Sequence, residues 1–274
     1  MTSNRLTLCA RSSLFVLCLL ALPPGACAAP QAGASWGDGA TVTPGWRRLG
    51  DAALKAITDP FTWAPALGAA ALQIGNLDNR IARWANRHNP VFGSRAAAAD
   101  ASDMLDEANV AIYLGAGLAA PVSESDNWVW TKAKGFAVGA AAIFAASGTT
   151  AGLKILSQRQ RPVGRGKYSF PSGHATLAGV TDRLSYETLR YYNLSPTARI
   201  VSDTGLTSLA LMTGWARVEA GKHHPADVLA GAAVGNFFAV FANEAFLRPK
   251  LGNNVAINIG PDRDGWDIYF SYAF

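Results

Sequence analysis

The chain has 274 residues, enough for one sizeable hydrophobic core or for one core with a small appendage. Half of its residues are apolar and 16% are charged, against about 25% in an ordinary soluble domain, yet the mean hydropathy of +0.12 is too low for a protein made mostly of transmembrane helix. The net charge of +5 comes without any run of Lys and Arg, which argues against nucleic-acid binding and suits an anionic substrate or a membrane surface.

The first 28 residues have the features of an export signal. Arg5 and Arg11 precede an apolar run at 14–22, and the small residues Ala26 and Ala28 mark a cleavage position after Ala28. An uncleaved anchor is the alternative, but the apolar run is short for a membrane span. The sequence therefore predicts a signal peptide at 1–28 and export to the bacterial periplasm.

All three cysteines, Cys9, Cys18 and Cys27, lie in this segment. Cleavage after Ala28 would leave no thiol, which excludes disulfides, zinc sites built on cysteine and a cysteine nucleophile. A lipid anchor on Cys27 is a second alternative, although Pro24 stands where a Leu-like residue is expected. Without the two arginines of the signal the net charge falls to +3.

The remainder is predicted to be helical up to about residue 250. Residues 29–50 are predicted to be a flexible leader, because their first part is rich in Gly, Ala, Ser and Thr, and residues 51–250 a helical domain. Weakly charged stretches recur at roughly 60–77, 108–123, 135–153, 205–216 and 228–243, with an amphipathic stretch at 173–192. We therefore predict an all-α bundle of about six helices. Several stretches reach the lower limit of membrane-spanning length but are rich in Ala and Gly, so both a buried helical core and partial membrane insertion remain open.

Residues 251–274 differ from the rest. The segments 255–259 and 266–274 have strand character, and the turn residues 261–265 separate them, which predicts a C-terminal β-hairpin. Its aromatic end resembles the last strand of an outer-membrane barrel, but two strands cannot close a barrel. We expect the hairpin to pack its apolar face on the helices.

The first of three chemical clusters runs from Lys154 to Pro162. Lys154 and Arg161 are seven residues apart, so on one helix they project from the same side, and Pro162 is expected to stop that helix. Two cations directed at one position suit a phosphate. A solvated basic helix end is the alternative.

The second cluster is Phe170-Pro-Ser-Gly-His-Ala-Thr176. Ser172 is predicted to cap a helix, and Gly173 allows the backbone to approach a ligand, so the free N–H groups of the helix start form an anion site. His174 can donate a proton to a departing oxygen. An ordinary helix cap with a surface histidine is the alternative.

The third cluster runs from Arg217 to Asp227. Pro225 is predicted to begin a helix, with His223 just outside it and Asp227 in its first turn, where the carboxylate can reach back to an imidazole. Arg217 adds a third cation for the same oxyanion. A metal site on His223, His224 and Asp227 is the alternative, but adjacent histidines usually point apart and no fourth ligand pattern is nearby.

The three clusters resemble the superfamily of type 2 phosphatidic acid phosphatases, class A acid phosphatases and vanadium haloperoxidases. The signature K-x6-R-P matches Lys154 to Pro162, P-S-G-H matches Pro171 to His174, and R-x5-H-x3-D matches Arg217 to Asp227. The family signature has a Ser before its second arginine, and this chain has Ala216. The fourth histidine, His88, lies outside the motifs among arginines and is predicted to be at the surface.

The resemblance implies a role for each residue. His223 would attack phosphorus and form a phosphohistidine, Asp227 would orient His223, and His174 would protonate the leaving alcohol and then activate water. The remaining motif positions would bind the phosphate oxygens, namely Lys154, Arg161, Ser172, Gly173 and Arg217. No metal or other cofactor is expected.

The activity expected is therefore phosphatase action on a phosphomonoester or a lipid (pyro)phosphate. The alternative is a vanadate-dependent haloperoxidase, because in this superfamily the same phosphate-binding residues also bind vanadate. The expected partner is a phosphorylated lipid or a small phosphoester, with membrane contact but no nucleic acid. The sequence leaves the substrate and the oligomeric state open.

Overall fold

The computed structural model describes residues 35–122 and 127–247, and the backbone of two strands, 256–262 and 265–271. The predicted signal peptide, 1–28, and the first part of the predicted leader, 29–34, lie outside the described residues.

Most of the described chain is helical. The eight α-helices in these residues are α1 (Trp46–Thr58), α2 (Pro60–Ala71), α3 (Leu77–His88), α4 (Arg95–Ala119), α5 (Trp128–Ser157), α6 (Gly173–Leu189), α7 (Pro196–Glu219) and α8 (Pro225–Ala242), with a 3₁₀ turn at Ile74–Asn76 and a π-helical turn at Asn243–Leu247. The predicted all-α bundle is confirmed, but the number of about six helices was too low. The two missed helices, α1 and α3, are polar and amphipathic, so they do not appear as apolar stretches.

Two strands follow the helices in the chain. β1 (Ala256–Asp262) and β2 (Gly265–Ser271) pair antiparallel, with Ile257 opposite Phe270. The predicted packing of this segment on the bundle concerns side chains outside the described residues.

The central contact of the bundle is between α6 and α8. The two backbones approach so closely that a Cβ atom on Gly231 of α8 would lie 2.5 Å from the carbonyl oxygen of Ser172. Any larger residue at this position would push the helices apart. The contact fixes the N-terminal end of α6 against the first turns of α8, and these two helix starts carry the second and third sequence clusters.

The predicted leader is wrong for residues 35–50. Trp36 is only 2% exposed and its backbone N–H donates to the carbonyl of Pro121, while the backbone N–H of Thr41 donates to the carbonyl of Phe246. Trp36 joins the main core through an edge-to-face contact with Phe136. One large aromatic side chain thus anchors a segment whose small residues suggested flexibility, and α1 begins at Trp46.

Among the residues that the structure describes, two helical segments are long and apolar enough to cross a membrane by length and composition, Trp128–Ser157 and Pro225–Leu247. Only 22% of the most apolar stretch of the first is buried, against 50% in the second. The bundle therefore covers α8 far better than α5, which leaves apolar side chains such as Phe144, 78% exposed, on the surface.

Candidate active site

The three sequence clusters meet at one end of the bundle. Lys154 lies near the C-terminal end of α5, His174 in the first turn of α6, and Arg217 near the C-terminal end of α7. The loop that precedes α8 brings His223 to the same place. The chain order of the helices explains the convergence, because two of them end and two begin at this end of the bundle.

The electrostatic interactions between these residues show that they face one space. Burial lowers the pKa of His223, and the charges of Lys154 and Arg217 lower it further. Burial also lowers the pKa of Arg217; Asp103 opposes this shift and Arg161 adds to it. Lys154 and Arg217 therefore lie near the imidazole, and Arg161 lies near both of these cations.

Arg161 reaches this space by a different route from the one predicted. Helix α5 ends at Ser157, because Gln158 takes a left-handed conformation with φ 43° and caps it, so Lys154 and Arg161 do not share a helix. Arg161 instead lies in the following loop, where its N–H donates to the carbonyl of Gly166 (2.9 Å).

Two of the predicted cations carry a buried donor that pairs with none of the described residues. Nε of Arg161 and Nε of Arg217 are both buried, and neither has a hydrogen-bond partner among the described residues. Nη1 of Arg217 is held by the hydroxyl of Ser102 (2.9 Å). Buried guanidinium N–H groups without a partner are costly, and an oxyanion in this space would satisfy them.

The residues at the start of α6 divide into a cap and a ligand-facing part. Ser172 is fully buried, and its hydroxyl oxygen accepts from the N–H of Ala175 (3.4 Å), which confirms the predicted cap. The hydroxyl oxygen of Ser172 thus caps the helix, in addition to any contact that it makes with phosphate. Gly173 lies next to Lys154, because a Cβ atom on Gly173 would be 4.0 Å from Cε of the lysine.

His223 is 3% exposed, and a backbone carbonyl holds its ring. Nδ1 of His223 lies 2.6 Å from the carbonyl oxygen of Ser169. A carbonyl only accepts, so Nδ1 carries the proton and the lone pair is on Nε2. The low pKa keeps this imidazole neutral near pH 7, as a nucleophile requires.

The predicted contact between Asp227 and His223 is not formed as expected. Oδ2 of Asp227 is 3.9 Å from Nδ1 of His223, beyond hydrogen-bond distance. The same oxygen accepts from the hydroxyl of Ser169 (2.6 Å) and from the backbone N–H of His224 (2.8 Å), and it lies 3.2 Å from Nδ1 of His224. The carboxylate reaches back to an imidazole, as predicted, but the imidazole is that of His224.

A second carboxylate and an arginine brace this arrangement. Arg159 lies between two buried carboxylates, with Nη1 2.6 Å from Asp227 and Nη2 2.5 Å from Asp78. Asp78, on α3, also accepts from the backbone N–H of Ala226 (2.8 Å). The pair of carboxylates thus connects α3, the loop after α5 and the start of α8.

Helix α4 supplies two acids that face His174. Nε2 of His174 lies 2.8 Å from Asp103 and 3.7 Å from Asp106. Burial lowers the pKa of His174 and Arg217 lowers it further, while the hydrogen bond with Asp103 raises it. Burial raises the pKa of Asp106 to about 8, against an opposing effect of Arg217.

Sequence reasoning missed most of these supporting residues, among them Asp78, Ser102, Asp103, Asp106, Arg159 and Ser169. Their partners are far away in the chain, and none of them lies in a spacing typical of a motif. Only Arg159 had a local signal, since it falls inside the first cluster. His88 is exposed, as predicted, and stacks on Trp84.

No group of three or more His, Cys, Asp or Glu side chains among the described residues is arranged to hold a metal ion. Ala216, which stands where the motif has Ser, is fully buried beside Arg217.

Comparison with protein families supports the motif assignment. The family model described as the PAP2 superfamily matches residues 163–249. This segment contains the second and third clusters, whereas Lys154 and Arg161 precede it.

Two curated relatives match a shorter part of the chain. They are the lipid A 1-phosphatases of Rhizobium johnstonii and Rhizobium etli, 32% and 31% identical over 100 residues. Each match covers 36% of this chain, and it covers 34% and 36% of the relatives. The matched region thus spans about a third of the length of these curated relatives.

The fold is similar to a solved structure as well. The crystal structure described as the first transmembrane PAP2 type phosphatidylglycerolphosphate phosphatase, from Bacillus subtilis, matches with a TM-score of 0.51 and 19% identity. The match covers 69% of this chain and 94% of that chain. At this identity the likeness concerns the fold alone. The family match covers the segment that carries two of the three clusters, and the likeness in fold extends over the larger part of the chain.

Proposed function

We propose that the chain is a phosphatase that hydrolyses a lipid phosphate through a phosphohistidine formed on His223. The observation that carries the proposal is the geometry of this residue. Its Nδ1–H donates a hydrogen bond to the carbonyl of Ser169, and its ring is buried. The charges of Lys154 and Arg217 lower its pKa. A neutral imidazole beside positive charge is suited to attack on a bound phosphate dianion.

In the first step Nε2 of His223 forms a bond to phosphorus, and the bond from phosphorus to the ester oxygen breaks. The three non-bridging oxygens remain in the cradle of Lys154, Arg161 and Arg217. The Nε donors of Arg161 and Arg217, which have no partner within the described part of the chain, are available for them. Donors that are already in place when charge develops supply the largest part of catalysis in such sites.

The departing alkoxide needs a proton, and His174 is the candidate donor. Its Nε2 faces Asp103 at 2.8 Å, and this carboxylate also lies 3.6 Å from Nη1 of Arg217. Asp103 thus supports the protonated imidazole and fixes the direction of its ring. In the second step neutral His174 takes a proton from water, and the water oxygen bonds to phosphorus. The bond between phosphorus and Nε2 of His223 breaks at the same time, which releases inorganic phosphate.

A lipid substrate is supported by the surface next to the cradle. Ile155 and Leu156, which directly follow Lys154, are 65% and 81% exposed, and the apolar face of α5 is largely uncovered. Apolar surface of this extent suits contact with a membrane, where acyl chains lie. Both curated relatives carry the name lipid A 1-phosphatase, which agrees with a lipid phosphate. The predicted export signal would place the site outside the cytoplasm.

The test is trapping of the phosphoenzyme. The protein in detergent micelles is mixed for milliseconds with a ³²P-labelled dialkyl lipid phosphate and then quenched in alkali, where phosphohistidine survives. We expect one labelled histidine, at position 223, in the wild type and none in His223→Ala, whose turnover falls at least a thousandfold.

His88→Ala is the matched control, because His88 is exposed and lies outside the site. It should retain both label and turnover. Label in the His223→Ala protein, or turnover within tenfold of wild type, would remove His223 from the nucleophile role.

A further inference from the structure

A polar cavity lies beside the cradle, on the side of α3. Its volume is about 340 Å³, and its polar lining residues are Asn79, Arg83, Arg159, Gln160, Arg161 and His224. This volume lies at the lower end of the range of small-molecule sites, about 300–1,000 Å³, so the cavity can hold a group larger than a single ion. No carboxylate is among the described residues that line it.

The charges of this lining are not equivalent. Arg159 already lies between the carboxylates of Asp78 and Asp227, so its charge is neutralised. Arg83, an exposed residue of α3, has no ion pair among the residues that the structure describes. Its guanidinium therefore remains available to an anion that enters the cavity.

Arg161 connects this cavity with the cradle. The residue lines the cavity, and its charge also lowers the pKa of Arg217 on the other side. Arg161 therefore borders both spaces, and a molecule with one phosphate in the cradle would reach the cavity across this side chain. The amide side chains of Asn79 and Gln160 offer both donors and acceptors, which suits the hydroxyl groups of a sugar or polyol.

We propose that this cavity binds a second anionic group of the same substrate, so that the preferred substrate class is a lipid with two phosphates on one polyol or sugar headgroup. This inference rests on the proposed function. Arg83 is the specificity residue, because it is the cavity's cation that takes part neither in the cradle nor in the carboxylate brace.

The experiment compares soluble substrates that differ only in the second phosphate. The probes are α,ω-alkanediol bisphosphates of four to ten carbons, each paired with the alkanediol monophosphate of the same length. For the wild type we expect kcat/KM for the bisphosphate to exceed that for the monophosphate by about tenfold at one preferred length. Arg83→Gln should abolish this preference and leave monophosphate turnover unchanged.

Arg87→Gln is the matched control. Arg87 is exposed on the same helix, one turn further on, and does not line the cavity. The preference should survive in this variant, and also in Arg83→Lys at a reduced level, because a lysine keeps the charge without the fork of donors.

The source of the anion is tested with inorganic sulfate. If the cavity instead takes a free anion, added sulfate stimulates monophosphate turnover in the wild type but not in Arg83→Gln, and the proposal fails. It fails equally if both substrate classes respond to Arg83→Gln by the same factor, or if no preference exists. A wild-type protein that hydrolyses neither these probes nor the dialkyl lipid phosphate contradicts the proposed function itself.

Discussion

The carbonyl oxygen of Ser169 lies 2.6 Å from Nδ1 of His223, while the nearest carboxylate oxygen of Asp227 is 3.9 Å away. Ser169 also donates its hydroxyl to Asp227 at 2.6 Å. The motif aspartate thus acts on the nucleophile through a serine that lies outside the motifs. The carboxylate fixes the serine, and the carbonyl of the serine fixes the imidazole.

This indirect connection predicts the behaviour of Ser169→Ala. The variant keeps the carbonyl but removes the hydroxyl that donates to Asp227, so the backbone at residue 169 is held less firmly. We expect kcat to fall about five- to tenfold with little change in KM. Asp227→Asn should lower kcat further, because it also disturbs the pair with Arg159.

The double variant distinguishes the two mechanisms. If Asp227 acts through Ser169, the losses in kcat are not additive, and the double variant resembles Asp227→Asn. Full additivity, measured at equal thermal stability, would mean that Asp227 polarises His223 without the serine.

Asp103→Asn is expected to affect acid catalysis selectively. The carboxylate raises the pKa of His174, so its removal lowers that pKa further and moves the alkaline limb of the kcat/KM profile to lower pH. The single-turnover rate of phosphorylation by an alkyl phosphate should fall at least tenfold. With p-nitrophenyl phosphate, whose leaving group needs no proton, it should fall less than about threefold.

The control for this pair of measurements is Asp100→Asn, an exposed residue on the same helix. It should leave both substrates and the pH profile unchanged. Equal losses of both substrates in Asp103→Asn would assign the residue to binding or folding instead of positioning His174.

Asp106 gives a prediction about stability and pH. Burial raises the pKa of Asp106 to about 8, above the value of about 4 expected in the unfolded chain. The folded state therefore binds the proton more tightly, and this contribution is complete below pH 4 and is lost as the pH rises to about 8. Asp106→Asn mimics the protonated acid and does not titrate.

Thermal unfolding at pH 5, 7 and 9 measures this effect. The Tm of Asp106→Asn relative to wild type should increase from pH 5 to pH 9. A Tm difference that is constant across the three pH values would show that Asp106 ionises alike in the folded and unfolded states.

Gly135→Ala tests the packing of the N-terminal segment. A Cβ atom at this position of α5 would lie 2.9 Å from the ring of Trp36, which is buried. Overpacking of this kind costs about 1–3 kcal/mol, so Tm should fall by several degrees. Gly148→Ala is the matched control, because a Cβ atom there meets nothing, and helix propensity alone should make that variant neutral or slightly more stable.

The sequence predicted the helical class and the meeting of the three clusters, because the motif residues mark helix ends and capping residues are local signals. Ser172 and Pro225 begin their helices where expected. The route of Arg161 could not be predicted, since it depends on the left-handed conformation of Gln158. Asp103 and Asp78 were missed because their partners lie 71 and 81 residues away in the chain.

The burial of Trp36 has a practical consequence for anyone who prepares this protein. A gene shortened to start at α1 would leave the buried site of the Trp36 indole empty. A bulky affinity tag fused directly before Ser35 would obstruct the packing of that indole. The helices that contact this indole, α4 and α5, also carry Ser102, Asp103 and Lys154. Purified material of that kind would report a damaged catalyst, and weak turnover in it would say little about the native enzyme.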